Sequence, residues 1–101
     1  MQPSLMAPVR RLVVDVLKPH DPSLVAFTEH VTEADSVTGV TGSLIELDKE
    51  VQNVKLTVAG EDLAPDAVEA AIEDLGGTVH SIDQVSCGAH VVEDSPTPQD
   101  S

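Results

Sequence analysis

Aromatic residues are almost missing from this chain. Phe27 is the only one, and there is no tryptophan or tyrosine in 101 residues. Any core is therefore aliphatic, built from Val, Leu, Ile and Ala. Basic residues are scarce as well: five Lys and Arg stand against 18 Asp and Glu, a formal net charge of −13. Phosphate contacts need Lys and Arg, so this balance opposes nucleic-acid binding. It equally opposes docking on an anionic membrane surface. A single cysteine, Cys87, excludes an internal disulfide. No stretch approaches the roughly 18 apolar residues of a membrane span. The opening MQPSLMAPVRR lacks the basic start followed by an apolar run that a signal peptide needs. The expectation is a cytoplasmic protein with neither nucleic acid nor membrane as partner.

What remains is a chain long enough for one domain with one small core. Hydrophobic content is an ordinary 41%. A small core without aromatics, disulfides or an obvious metal is marginal alone, which favours self-association. The acid excess reads two ways. In a salt-rich (halophilic) cytoplasm, surface carboxylates keep a protein hydrated while ionic strength screens their repulsion. The other reading is cation binding. The acids are spread over both expected helices and the loops, which favours the first.

Residues 1–8 contain Pro3 and Pro8 and no periodicity, as a flexible leader would. Val9–Lys18 is the first expected strand, with Leu12, Val14 and Val16 on one face and Arg11, Val13, Asp15 and Leu17 on the other. Pro19 stops it. Asp21 as N-cap and Pro22 at the first helical position predict a helix over 22–33, with Leu24, Phe27, Val31 and Ala34 on its stripe. Val37–Asp48 is the second strand, with Gly39 and Gly42 bending its first half and Ile45 and Leu47 inward. A turn around Asp48–Gln52 returns the chain into Asn53–Ala59, whose Val54, Leu56 and Val58 alternate inward. Pro65–Leu75 is the second helix, with Val68, Ala71, Ile72 and Leu75 at i, i+3, i+4 and i+7. Gly76 suits its C-terminal exit. Thr78–Val85 is the fourth strand, and His90–Glu93 a short extra one after the turn Cys87–Ala89. The spans are thus a leader (1–8), one domain (9–93) and a polar tail (94–101).

The order is βαββαβ. Right-handed crossovers place both helices on one face of a four-stranded antiparallel sheet, which is the α+β ferredoxin-like sandwich. The first and third strands are then central. The other sheet face is bare and carries Val13 and Leu17, and such a face invites a cover. The expected cover is a second copy of the chain.

Three stretches, RRLVVDVLKPHDP, VTGVTG…IELDKEVQNVKLTVAGEDL and EDLGGTVHSIDQV, resemble DUF211, a family of small archaeal proteins without a settled activity. The resemblance runs over roughly 9–85. It implies a ferredoxin-like fold, homo-oligomeric rings and calcium as a ligand. The chain is more acidic and lysine-poor than that pattern, and CGAH at Cys87–His90 replaces a small-residue and basic segment. TPQD near the end is family-like and implies a tail docked on a neighbour.

The candidate sites are few. Asp15, His20, Asp21 and Glu46 make a candidate hard-cation site for Ca2+ or Mg2+, with Asp15 joined by carboxylates from a neighbouring subunit or by Glu46 on the second strand. The plain alternative pairs Asp15 with Lys55 or Arg11 and leaves Asp21 as a helix cap and His20 solvated. His80 and Asp83 share a strand at a spacing that points them to opposite faces. Cys87 and His90, with His80, make a candidate soft-metal site for zinc or copper, although a structural zinc site wants four ligands. The acids at Asp48–Glu50 and Glu61–Asp66 miss the calcium-loop pattern and read as a solvated surface. Phosphate-loop and nucleophile-elbow motifs are absent. The expectation is a non-enzymatic, self-assembling module that binds a divalent cation or small ligand at subunit boundaries. The alternatives are a metal-handling protein or metal-dependent enzyme using the Cys/His set, and an acidic subunit that binds a partner protein.

Overall fold

The computed structural model describes residues 7–90. Most of the leader, the Val91–Glu93 part of the extra strand and the polar tail lie outside the described residues. The elements are β1 (Val9–Pro19), α1 (Leu24–Val31), β2 (Val37–Leu47), β3 (Val51–Gly60), α2 (Pro65–Asp74) and β4 (Thr78–Cys87). The strands form one antiparallel sheet in the order β2-β3-β1-β4, so β1 and β3 are central and β2 and β4 are the edges. This is the ferredoxin-like βαββαβ arrangement.

Alternation on the central strands builds the core. Leu12, Val14 and Val16 of β1 and Val54, Leu56 and Val58 of β3 are buried on the helix side. Phe27 and Val31 of α1 and Val68 and Ile72 of α2 close over them. Full burial of side chains this size stabilises by about 1.5–3 kcal/mol each, before the entropy of ordering them. Lys18 continues the β1 parity and is also wholly buried, beneath Phe27.

Helix α1 starts later than the Asp-Pro pair predicts. Ser23 is its N-cap, its hydroxyl accepting from the Ala26 N–H at 3.1 Å. Asp21 and Pro22 stay in the turn, joined by a cis peptide. The helix ends at Val31, where the Thr32 hydroxyl turns back to the Glu29 carbonyl at 2.5 Å. Helix α2 opens on Pro65 and exits through Gly76, whose φ of 85° is the left-handed turn that glycine adopts without strain. Next to it, Gly77 sits where a Cβ would lie 2.7 Å from Phe27 Cζ and 2.9 Å from Ile72 Cγ2.

Ile45 and Leu47 do not point into the core. They are 58% and 62% exposed, because β2 is an edge strand and its register shifts between Leu44 and Glu46. Val13 departs in the other direction. It lies on the bare face yet is only 6% exposed, flanked by Thr57 on β3 and by Gln84 on β4, which accepts from Arg11. The bare face is therefore less apolar than its sequence pattern predicts.

Candidate functional site

The bare sheet face holds a cleft of about 330 Å3 lined by Asp15, Leu17, Glu46, Asp48, Val51, Asn53 and His80. All four strands contribute. Asp15 and Leu17 come from β1, and Val51 and Asn53 stand beside them on β3 through the rungs Leu17↔Asn53 and Pro19↔Val51. Glu46 reaches in from β2, opposite Asn53. His80 comes from β4, in the register shift between Ser81 and Val79. Leu17 and Val51 give the cleft an apolar component. Its charged lining is acidic, and no Lys or Arg lines it.

Asp15 is oriented by a hydrogen bond from Asn53 Nδ2 to its Oδ1 at 2.7 Å. The register sets Lys55 directly opposite Asp15, as the sequence suggests. The ion pair itself does not form. Among the described residues the ion pairs are those of His30 with Glu33 and Asp74, and Arg11 bonds Gln84 instead. The His20 ring Nε2 donates to the Asp48 carbonyl at 2.9 Å, tying the β1–α1 turn to the β2–β3 turn. The Asp48 carboxylate accepts from the Lys49 N–H at 2.6 Å.

Of the four hard-cation candidates, Asp15 and Glu46 share the cleft. His20 touches its rim through Asp48. Asp21 acts elsewhere: its charge faces Lys18 and favours the protonated ammonium, against the larger effect of burial. Calcium takes roughly six to eight oxygen ligands. Among the described residues, no three His, Cys, Asp or Glu side chains converge on one point that could hold a metal ion. The described residues of a single copy thus do not by themselves fit a calcium site.

The soft-metal candidates are spread along the sheet. His80 lies at the Asp15 end of β4, while Cys87 pairs with Val9 at the other end and His90 follows beyond it. There Gly88 N–H donates to the Pro8 carbonyl at 2.9 Å, and Arg10 donates to the carbonyls of Gly88 and Ala89 at 3.2 and 3.1 Å. Asp83 accepts from the Ser81 hydroxyl at 2.7 Å. Sequence reasoning missed Asn53 and Asp48 as cleft residues. Asn53 was within reach of it, since it shares the parity of Lys55 on β3.

The DUF211 family profile, described as uncharacterized ArCR, matches residues 10–101. The chain belongs to the DUF211 family. An uncharacterized protein of Methanocaldococcus jannaschii is 44% identical to it over 92 residues, which cover 91% of this chain and 95% of that relative. Neither description supplies an activity, so this DUF211 chain must be read from its own surface. Among the described residues no helix is long and apolar enough to cross a membrane.

Proposed function

We propose that this DUF211 chain is a non-enzymatic module that works as a homo-oligomer, assembled through its sheet edges. One observation carries the reading: large apolar side chains stand exposed on both edge strands. On β2 these are Leu44, Ile45 and Leu47, and on β4 they are Ile82 and Val85, each about half exposed or more. Edge strands normally carry charge or cover to prevent pairing. Here each edge strand carries a single acid, Glu46 on β2 and Asp83 on β4, beside these exposed apolar side chains.

Within such an assembly the cleft around Asp15, Glu46 and Asp48 binds a divalent cation or small cationic ligand at a subunit boundary. Its lining supports this, being acidic and free of Lys and Arg. The described residues of one copy offer too few converging ligands, so oxygens from a neighbour complete the shell. The setting that suits a net charge of −13 is a salt-rich cytoplasm. A Cys/His metal enzyme has less support, since His80 and Cys87 stand at opposite ends of β4.

Light scattering coupled to size exclusion in high KCl tests the reading. Detection is by refractive index, because the chain lacks Trp and Tyr. A discrete oligomer is expected, and it should change when calcium is replaced by a chelator. A monomer under both conditions overturns the assembly. An oligomer indifferent to chelation keeps the assembly and removes the cation.

A further inference from the structure

The carboxylates of the cleft stand in rows along the strands, not around a point. The pairings Asp15↔Lys55, Leu17↔Asn53 and Pro19↔Val51 set the rows. Asp15 occupies the first. Leu17, Asn53 and Glu46 share the second, since Glu46 pairs with Asn53. Val51 and Asp48 make the third, where the Asp48 N–H donates to the Val51 carbonyl at 3.0 Å. A strand advances about 3.3 Å per residue, so the first and third rows lie roughly 13 Å apart along the strand direction. Leu17 and Val51 give the space between them an apolar floor. Asp15 is fixed at its end of the cleft. Asn53 Nδ2 holds its Oδ1 at 2.7 Å, and among the described residues no ion pair occupies the carboxylate, although Lys55 stands opposite.

We propose that the cleft takes a linear alkyl polyamine, one terminal ammonium at Asp15 and the other at Asp48, with the methylene chain lying over Leu17 and Val51. The inference rests on the reading of the cleft as a cation site and names its ligand class. A hard metal ion needs many oxygens around one point and gains nothing from Leu17 and Val51. An alkylammonium differs on both counts. Its stem buries on apolar surface while its charge meets a carboxylate. A few methylenes between two ammonium groups span the rows once a contact of about 2.8 Å is added at each end. Glu46, in the middle row, faces the position of an internal ammonium in a longer polyamine. The cleft volume of about 330 Å3 holds such a ligand, and an apolar floor with a few placed polar groups is the usual build of a small-molecule site. All of these groups belong to one copy of the chain.

Titration calorimetry of the full chain in high KCl tests this, with 1,4-diaminobutane, butylamine and calcium as probes. The salt screens the general attraction of any cation to an acidic protein. The diamine should bind at least about tenfold tighter than butylamine, because it meets a carboxylate at both ends. Asp15→Asn and Asp48→Asn should each lower diamine affinity about tenfold, towards the butylamine level. Asp48 is exposed, so its variant keeps the test alive if Asp15→Asn disturbs the Asn53 contact. Leu17→Ala should weaken the diamine several-fold and leave calcium unaffected. Glu69→Gln, at an exposed acid of α2 in the helix layer, should change nothing. Circular dichroism checks that each variant is folded. Equal affinity for butylamine and the diamine overturns the two-ended site, as does a loss in Glu69→Gln equal to that in the cleft variants. Calcium binding without diamine binding overturns this inference and leaves the cleft a metal site. Binding of neither defeats the cation reading of the cleft, and this inference with it.

Discussion

Lys18 Nζ donates to Gln52 Oε1 at 3.0 Å, across the rung that pairs β1 with β3. The same ammonium donates to the Pro19 carbonyl at 2.8 Å and stands 5.8 Å from the centre of the Phe27 ring. A lysine with no exposed surface thus closes the end of an otherwise apolar core. It is held by two acceptors and one aromatic face. Burial lowers its pKa below the ordinary 10.5, and the nearby Asp21 charge offsets part of that shift.

The sign of the pH effect follows. The folded chain releases the Lys18 proton at a lower pH than the unfolded chain does. Between the lowered value and 10.5 the unfolded state binds more protons, so stability rises with pH across that window. Below the window the cost of the buried charge is fully present. Urea unfolding followed by far-UV circular dichroism, repeated at pH steps towards 10.5, should show this rise. In Lys18→Met the rise attributable to Lys18 should vanish. An identical alkaline limb in both chains would count against a depressed Lys18.

Ser23→Ala should cost about 1 kcal/mol, because it removes the oxygen that satisfies the Ala26 N–H. Asp21→Ala should cost clearly less, although Asp21 precedes a proline and looks like the stronger cap. Chemical denaturation of the two variants side by side checks this. The reverse order would restore the longer helix that the Asp-Pro pair suggests.

That comparison marks where sequence pattern and structure part. Val54, Leu56 and Val58 alternate without interruption, and their strand is central, covered on one side by both helices. Pattern and burial therefore agree there, as they do for Val68 and Ile72 of α2. Ile45 and Leu47 carry the same alternation on an edge strand, where a register shift and the lack of an outer neighbour leave them exposed. Periodicity reports which face a residue takes, not whether anything covers that face. Lys18 is the converse case. The parity of Leu12, Val14 and Val16 assigns it to the core face, against the usual preference of lysine for water. In the cleft, Asp15 and Glu46 are evident as acids on adjoining strands. Asp48 joins them through the turn geometry, which residue spacing does not encode.

Phe27→Ala should cost about 3–5 kcal/mol. Phe27 is the chain's one aromatic side chain, wholly buried among aliphatic residues, and the ring also faces the Lys18 ammonium. Such a loss is a large part of the roughly 5–15 kcal/mol that stabilises a small domain. Thermal and urea unfolding should show a much earlier or no longer cooperative transition. Gly77→Ala attacks the same spot from the opposite side. The added methyl meets Phe27 Cζ at 2.7 Å and the Ile72 carbonyl at 3.1 Å, so overpacking should cost about 1–3 kcal/mol. Unchanged stability in Gly77→Ala would mean that the Phe27 ring has room to move.

Salt should stabilise this protein, and the cleft should be one reason. Asp15, Glu46 and Asp48 line one small space that no Lys or Arg lines, and Lys55, opposite Asp15 in the register, forms no ion pair with it, in a chain whose net charge is −13. Their repulsion acts over a screening length of about 10 Å at 0.1 M salt and about 3 Å at 1 M. Raising KCl between those concentrations should therefore raise the urea midpoint. Asp15→Asn removes one of the three charges and keeps an amide oxygen that can still accept from Asn53. That variant should be more stable than the unmodified chain at 0.1 M, and the difference should shrink at 1 M. NaCl should act like KCl if screening is the cause. A salt effect that is the same in both chains would place the repulsion elsewhere on the surface, and Asp15 would then be a carboxylate fully accommodated by Asn53 alone.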